Sequence, residues 1–379
     1  MRKSDKIFKY TFFITFIVVV ISFSLTFYFQ LESMKIMENF LSSASVAGFV
    51  AIFAQFSTTV VQEYYKRKTY KICMLCKKSH FSLSIASSVR EYYSKELDVV
   101  LHVELLEPTD MLQENFNNFL STEAYDYDGL IIRPLDSSDA FAAKINILLN
   151  RGKKIILTDL NLTKKQLESF NTTELPFYVG SDFKLGGSYL AKHIQELINS
   201  SAKDTNIILF LGPNKTASAR KRGKELIWQL SINNITIKSI VELDSFDIDS
   251  SLELFNEECK KKDLSTDNII IFCANDNIAT KLIEINNYSN SKYIFIKKLF
   301  TSTDKIVFLG YDGIKNMGEA YQLSQYNINY ATVDVDPNKQ GEISAKIMLN
   351  KLMGKIKTYS TEELVEPKFI KFEEVINNE

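Results

Sequence analysis

The stretch Ile269-Ile270-Ile271-Phe272-Cys273-Ala274-Asn275-Asp276-Asn277-Ile278-Ala279 decides how the chain is read. Its unbroken apolar run predicts a strand buried on both faces, as in a parallel sheet. Asn275 and Asp276 stop that strand and supply an N-cap for a helix running through Ile278, Leu282 and Ile283. Polar side chains therefore stand just past the carboxyl end of a buried parallel strand, the edge at which open α/β sheets bind ligands.

The same alternation extends to either side. From Thr69, strand candidates at 71–76, 99–105, 129–132, 154–157 and 177–179 form one set, and 206–211, 237–241, 268–273, 305–309 and 330–333 form a second. Helical stretches at 84–96, 110–120, 139–150, 184–200, 218–230 and 250–261 lie between them. Strands alternating with helices predict parallel sheets covered by helices, and two successive sets predict two lobes. Residues 286–303, rich in Asn, Ser and Lys, read as a surface insertion.

The chain of 379 residues is long enough for a membrane region and two such lobes. With 45 Lys and Arg against 46 Asp and Glu, it gives no electrostatic case for a nucleic-acid partner. Of the four cysteines, Cys73 and Cys76 fall three apart in one strand and so point to opposite faces, which suits neither a metal nor a redox pair. His80, His102 and His193 show no metal spacing, and no cofactor is expected.

The amino-terminal region reads differently. Residues 10–29 are uncharged and largely apolar, and follow Arg2, Lys3, Lys6 and Lys9. Roughly 20 apolar residues span a bilayer core, so a transmembrane helix is expected over about 8–30, its amino terminus in the cytoplasm. A second uncharged run, 41–61, is rich in Ser, Ala and Gly and is followed by Lys66-Arg67-Lys68. It reads either as a second spanning helix over about 41–62, which leaves the remainder cytoplasmic, or as an extracytoplasmic stalk behind a single anchor. The first reading is preferred here.

Six stretches in a fixed order carry a family resemblance: Tyr127-Asp128-Gly129 through Ser137, Tyr178-Val179-Gly180-Ser181-Asp182 through Gly187, Thr216 through Gly223, Phe272-Cys273-Ala274-Asn275-Asp276, Leu309-Gly310-Tyr311-Asp312-Gly313, and Ala331 through Gly341. On these the chain from about 69 to 376 resembles the type I periplasmic binding proteins, within them the ribose- and galactose-type sugar binders that share their fold with effector domains of the lactose-repressor class. The resemblance implies two Rossmann-like lobes joined by a three-strand hinge near Gly180, Val335 and Glu366. The first lobe would comprise 69–180 with 336–365, and the second 181–335 with 366–379, behind a membrane region at 1–68.

The resemblance also implies a ligand site. Arg222, Asn275 and Asp312 of the second lobe would hydrogen-bond hydroxyls opposite Asp159 and Ser79 of the first, with Phe81 and Phe246 as ring platforms. Each polar residue keeps a plainer alternative: Asp312 capping a turn, Asn275 capping a helix, Arg222 pairing with a surface carboxylate. Two departures stand out, since Leu160 and Val335 occupy positions that are often polar in sugar binders. A buried hydroxyl without a partner is costly, so the expected ligand is a deoxy sugar, a smaller polyol or something partly sugar-like.

The expected function is therefore a membrane-anchored, non-enzymatic binding protein whose closure is read by a sensor kinase or another membrane partner. Supply of an ABC permease, and a scaffold with a vestigial pocket, are the alternatives. An enzyme is disfavoured: Leu211-Gly212-Pro213-Asn214-Lys215-Thr216 lacks the glycine a P-loop needs before its Lys, and no Ser/His/Asp set is evident.

Overall fold

The computed structural model describes residues 69–371 apart from 97, 202, 214–216, 244–247, 263, 265–266, 286–290, 314–328 and 356–360, together with Gly48, Ala51, Ile52 and Gln55. Both apolar amino-terminal stretches otherwise lie outside the described residues. Among the described residues no helix is long and apolar enough to cross a membrane.

From Tyr70 onward the chain forms one compact unit built on two sheets of six strands. The first contains β1 (Tyr70–Lys77), β2 (Val99–Leu106), β3 (Gly129–Ile132), β4 (Lys154–Thr158), β5 (Phe177–Ser181) and β11 (Glu362–Val365), in the order β11-β5-β4-β3-β1-β2. All its pairings are parallel. The second contains β6 (Thr205–Leu211), β7 (Ser239–Glu242), β8 (Asn268–Cys273), β9 (Lys305–Tyr311), β10 (Asn329–Asp334) and β12 (Lys368–Lys371), in the order β12-β10-β9-β8-β6-β7. Its edge strand β12 runs antiparallel to β10, the one departure from the all-parallel expectation. The chain passes between the sheets three times, after β5, after β10 and between β11 and β12.

Helices cover both faces of each sheet. On the first, α1 (His80–Tyr93) and α10 (Pro337–Leu352) close over Ile72, Met74 and Cys76, while α2 (Leu112–Ser121), α3 (Asp139–Asn150) and the short α4 (Lys164–Glu168) lie on the face of Cys73 and Leu75. Cys73 and Cys76 thus enter opposite cores, as their spacing requires, and burial pushes both thiols above the ordinary range, to about 12 and about 11. On the second sheet, α5 (Phe183–Asn199) and α6 (Ala217–Ile232) cover one face, and α7 (Ile248–Lys261) and α8 (Asp276–Ile285) the other. Every residue of β8 is buried, which accounts for its unbroken apolar run.

One expectation is corrected. Part of the presumed surface insertion at 286–303 is α9 (Ile294–Thr301), whose Ile296, Leu299 and Phe300 are buried in the same core as Phe308 and Leu282. The Asn, Ser and Lys flanking it hid an apolar stripe at helical spacing. Burying three such side chains contributes on the order of 5 kcal/mol against leaving them in water.

Candidate functional site

Charged and polar side chains collect at the carboxyl ends of strands in both sheets. In the first lobe Asp159 follows β4 with a left-handed backbone, φ 65°. Its carbonyl accepts Tyr178 Oη at 3.1 Å, and its amide donates to Val179 O at 3.2 Å. Its Oδ2 accepts from both Nε and Nη2 of Arg133, at 3.0 and 2.9 Å. The remaining Arg133 nitrogen donates to Ser79 Oγ and Ser82 Oγ at 3.3 and 3.0 Å, and the guanidinium lies 4.7 Å from the centre of the Phe81 ring. Ser79 also caps α1, accepting from Ser82 N. Phe81 packs against core clusters of both lobes.

The second lobe presents a matching pair. Arg222, on α6, is buried with 6% of its side chain exposed and donates to Asp312 Oδ1 at 2.9 Å and to the Ala274 carbonyl at 3.1 Å. Its guanidinium stacks on Tyr311 at 4.4 Å and Phe183 at 5.1 Å. The arginine is thus buried while its carboxylate partner, just past β9, keeps 36% of its side chain exposed. Asp312 follows β9 with φ 104°, a conformation that an aspartate adopts at a cost of order 1–3 kcal/mol. Asp159 and Asp312 are two of the four described non-glycine residues with positive φ, the others being Asn234 and Asp336.

The two pairs act on one another. Burial pulls the Arg222 guanidinium down, but Asp312, Tyr311 and Asp159 outweigh it and its pKa rises. Burial pushes the Asp312 carboxyl above the ordinary carboxylate range; Arg222 opposes this, Asp159 adds to it and Arg133 opposes it. Two positive and two negative groups, drawn from both lobes, thus stand within electrostatic reach around one place. Asp159 Oδ1 and Asp312 Oδ2 form no hydrogen bond within the described residues and are open to accept from hydroxyls.

Within reach of the Asp312 charge lies a carboxyl that in the sequence reads only as a strand stop and helix cap. Asp276 Oδ1 accepts Thr332 Oγ1 at 2.8 Å and the Tyr330 hydroxyl, while its Oδ2 is buried with no hydrogen-bond partner at ordinary distance among the described residues. Burial drives its pKa up to about 8 against the pull of the Tyr330 hydrogen bond, with the Asp312 charge adding to the rise. It supports the loop that carries Asp312: a Cβ on Gly310 would collide with Asp276 Oδ1 and Tyr330 Oη.

Asn275 acts as a helix cap, its Oδ1 accepting Ile278 N at 2.9 Å, and its Nδ2 makes no hydrogen bond within the described residues. Capping and donation to a ligand are thus compatible in one side chain. Phe246 lies outside the described residues. Leu160 and Val335 are buried, 5% and 1% exposed, and neither offers a polar atom from its side chain. Arg133 is the residue missed; it stands in the Tyr127–Ser137 stretch directly after β3, where a charged side chain at a strand's carboxyl end was the available signal. Among the described residues no His, Cys, Asp and Glu side chains group to hold a metal.

Neither a protein-family model nor a curated protein matches the sequence. Solved structures do match the fold. An ABC transporter periplasmic solute-binding protein from Actinobacillus succinogenes 130z, with bound D-allose, is similar at TM-score 0.63 and 20% identity over 81% of this chain and 99% of its own. A solute-binding protein from Bacillus halodurans C-125, with bound myo-inositol, is similar at TM-score 0.60 and 16% identity, over 82% and 97%. The lac repressor dimer bound to operator and the anti-inducer ONPF is similar at TM-score 0.58 and 17% identity, over 83% and 96%. Identities this low speak for the fold alone. The motif resemblance and the structural neighbours agree on it: the chain from Tyr70 onward has the fold of the type I periplasmic sugar-binding proteins and the lac repressor effector domain.

Proposed function

We propose that the chain is a membrane-anchored, non-catalytic binding protein that takes a sugar or polyol between its two lobes. The observation that carries this reading is the pair of opposed ion pairs, Arg133 with Asp159 and Arg222 with Asp312. Each places a donor fork beside an open carboxylate oxygen, the combination that vicinal hydroxyls satisfy. Phe81 adds a ring for the apolar face of such a ligand. The buried side chains of Leu160 and Val335 favour a ligand with fewer hydroxyls than a hexose, because neither offers a hydroxyl a partner.

Closure of the lobes about the three crossings is the readout, the bound form being selected from an existing equilibrium. The charge-free run at 10–29 behind a basic amino terminus supports permanent anchoring, and anchoring favours a signalling partner, such as a sensor kinase, over a shuttle. Delivery to a permease is the second reading, supported by the ABC transporter solute-binding proteins among the structural neighbours. Lys66-Arg67-Lys68 favours a cytoplasmic location for the lobes. A thermal-shift screen over pentoses, hexoses, deoxy sugars and polyols tests the binding claim. A ligand at a hundred times its Kd stabilises by about 2.7 kcal/mol, and Arg222→Ala with Asp312→Ala should remove that shift. A shift that survives both changes places the ligand elsewhere.

A further inference from the structure

Two of the three crossings between the sheets are tied to each other through the backbone, Asp182 N donating to Val365 O at 2.9 Å. The crossing after β10 is set by side chains instead. Only Val335 and Asp336 separate β10, in the second sheet, from α10, which covers the first. Asp336 takes a left-handed backbone, φ 46° and ψ 68°, although it is not glycine and precedes Pro337. A residue before proline is driven toward extended backbone, so this conformation persists only where its neighbours hold it.

Carboxylates do the holding. Asp336 N donates to Asp334 Oδ1 at 2.8 Å, Asp336 Oδ1 accepts Lys339 N at 3.0 Å as the cap of α10, and Asp336 Oδ2 accepts Lys368 Nζ at 3.3 Å. Lys368 belongs to β12, so the last contact joins the second sheet to a helix of the first lobe. Asp334 is buried and also meets the loop that carries Asp312: a Cβ on Gly313 would lie 2.8 Å from Asp334 Cβ, Cγ and Oδ1. Beside it Asp312 N donates to Val333 O at 2.9 Å. One side chain thus touches the Asp312 loop and fixes the backbone of a crossing.

We propose, on the reading that a ligand sits between the lobes, that Asp334 is the positioning residue through which occupancy of the Asp312 loop sets the hinge, with Asp336 and Lys368 as the clasp it closes. A hydroxyl donating to Asp312 holds the loop against Asp334, the carboxylate stays aimed at Asp336 N, and the crossing stays left-handed. With the loop free, Asp334 turns away and Asp336 relaxes to the extended backbone favoured before proline, which swings α10 relative to β10. The exposed Lys368 contact alone is worth little, so Asp334 carries the coupling and the clasp follows it.

The test is pulsed electron-spin distance measurement on the full chain in detergent micelles. Nitroxides go on Ile147→Cys in the first lobe and Trp228→Cys in the second, both exposed positions, in a Cys259→Ser background; the other cysteines are buried. Without ligand, Asp334→Ala should move the ratio of closed to open lobes roughly two- to twelvefold toward open, the scale of one hydrogen bond. Asp334→Asn keeps the acceptor for Asp336 N and should keep the wild-type ratio. Gly313→Ala, a change in the ligand loop, should shift the ratio the same way by displacing Asp334, and the two changes together should shift it less than their sum. A ratio unchanged by either Asp334→Ala or Gly313→Ala, or shifted by Asp334→Asn as far as by alanine, overturns the proposal. Because the ratio is read without ligand, a failed sugar screen removes the binding reading and leaves the clasp to be judged by distance.

Discussion

Asp276→Asn should make the protein's stability less dependent on pH, by an amount that follows from the burial of one carboxyl. The folded pKa is about 8, whereas a carboxyl in an unfolded chain titrates near the ordinary aspartate value of about 3.9. Between those values the folded state holds a proton that the unfolded state has released. Stability therefore falls as pH rises, by up to about 1.4 kcal/mol per pH unit, and the contribution is fully present only below about pH 4. From pH 5 to pH 7 the loss is on the order of 3 kcal/mol. Asparagine keeps the acceptor for Tyr330 and Thr332 and carries no charge, so it removes this slope. Urea denaturation of both proteins, starting at Tyr70 where the compact unit begins, isolates the effect, because all other titrating groups are common to the two. The wild type should lose ground to the variant steadily between pH 5 and 8. Parallel curves over that range would refute the reasoning and mean that water or a missed donor solvates Asp276.

Further expectations concern the same region. Gly310→Ala should destabilise by at least about 2 kcal/mol and disturb the Asp312 loop, because its methyl group meets Asp276 and Tyr330; denaturation and ligand titration read the two effects. Phe81→Ala should weaken ligand binding roughly tenfold and loosen Arg133, since the ring carries a cation contact and touches both cores. A reporter active only in the cytoplasm, fused after Glu379, should be active under the two-helix reading of the amino terminus, and its silence would remove that reading.

How much of this was legible in the sequence depended on range. β8 and α8 could be read directly, because burial on both faces leaves a continuous apolar run and the cap at Asn275 is local. The opposite destinations of Cys73 and Cys76 followed from strand period alone. Arg133 with Asp159 is a contact between loops 26 residues apart; each residue's place at a strand end is readable, but nothing local pairs the two. Asp276 reads as a second cap residue until β9 brings Gly310, and β10 brings Tyr330 and Thr332, against it. α9 was hidden by polar flanks, a case in which local composition outvoted a short apolar stripe.

The central claim is that one small ligand is held from both lobes at once. Calorimetric titration of a stabilising sugar or polyol into the wild type, Arg133→Met, Asp312→Asn and the double variant tests it most directly. Each single change should weaken binding at least about tenfold, the scale of one lost hydrogen bond to a charged group. Binding that tolerates either change, one pair being touched in each lobe, would contradict the account.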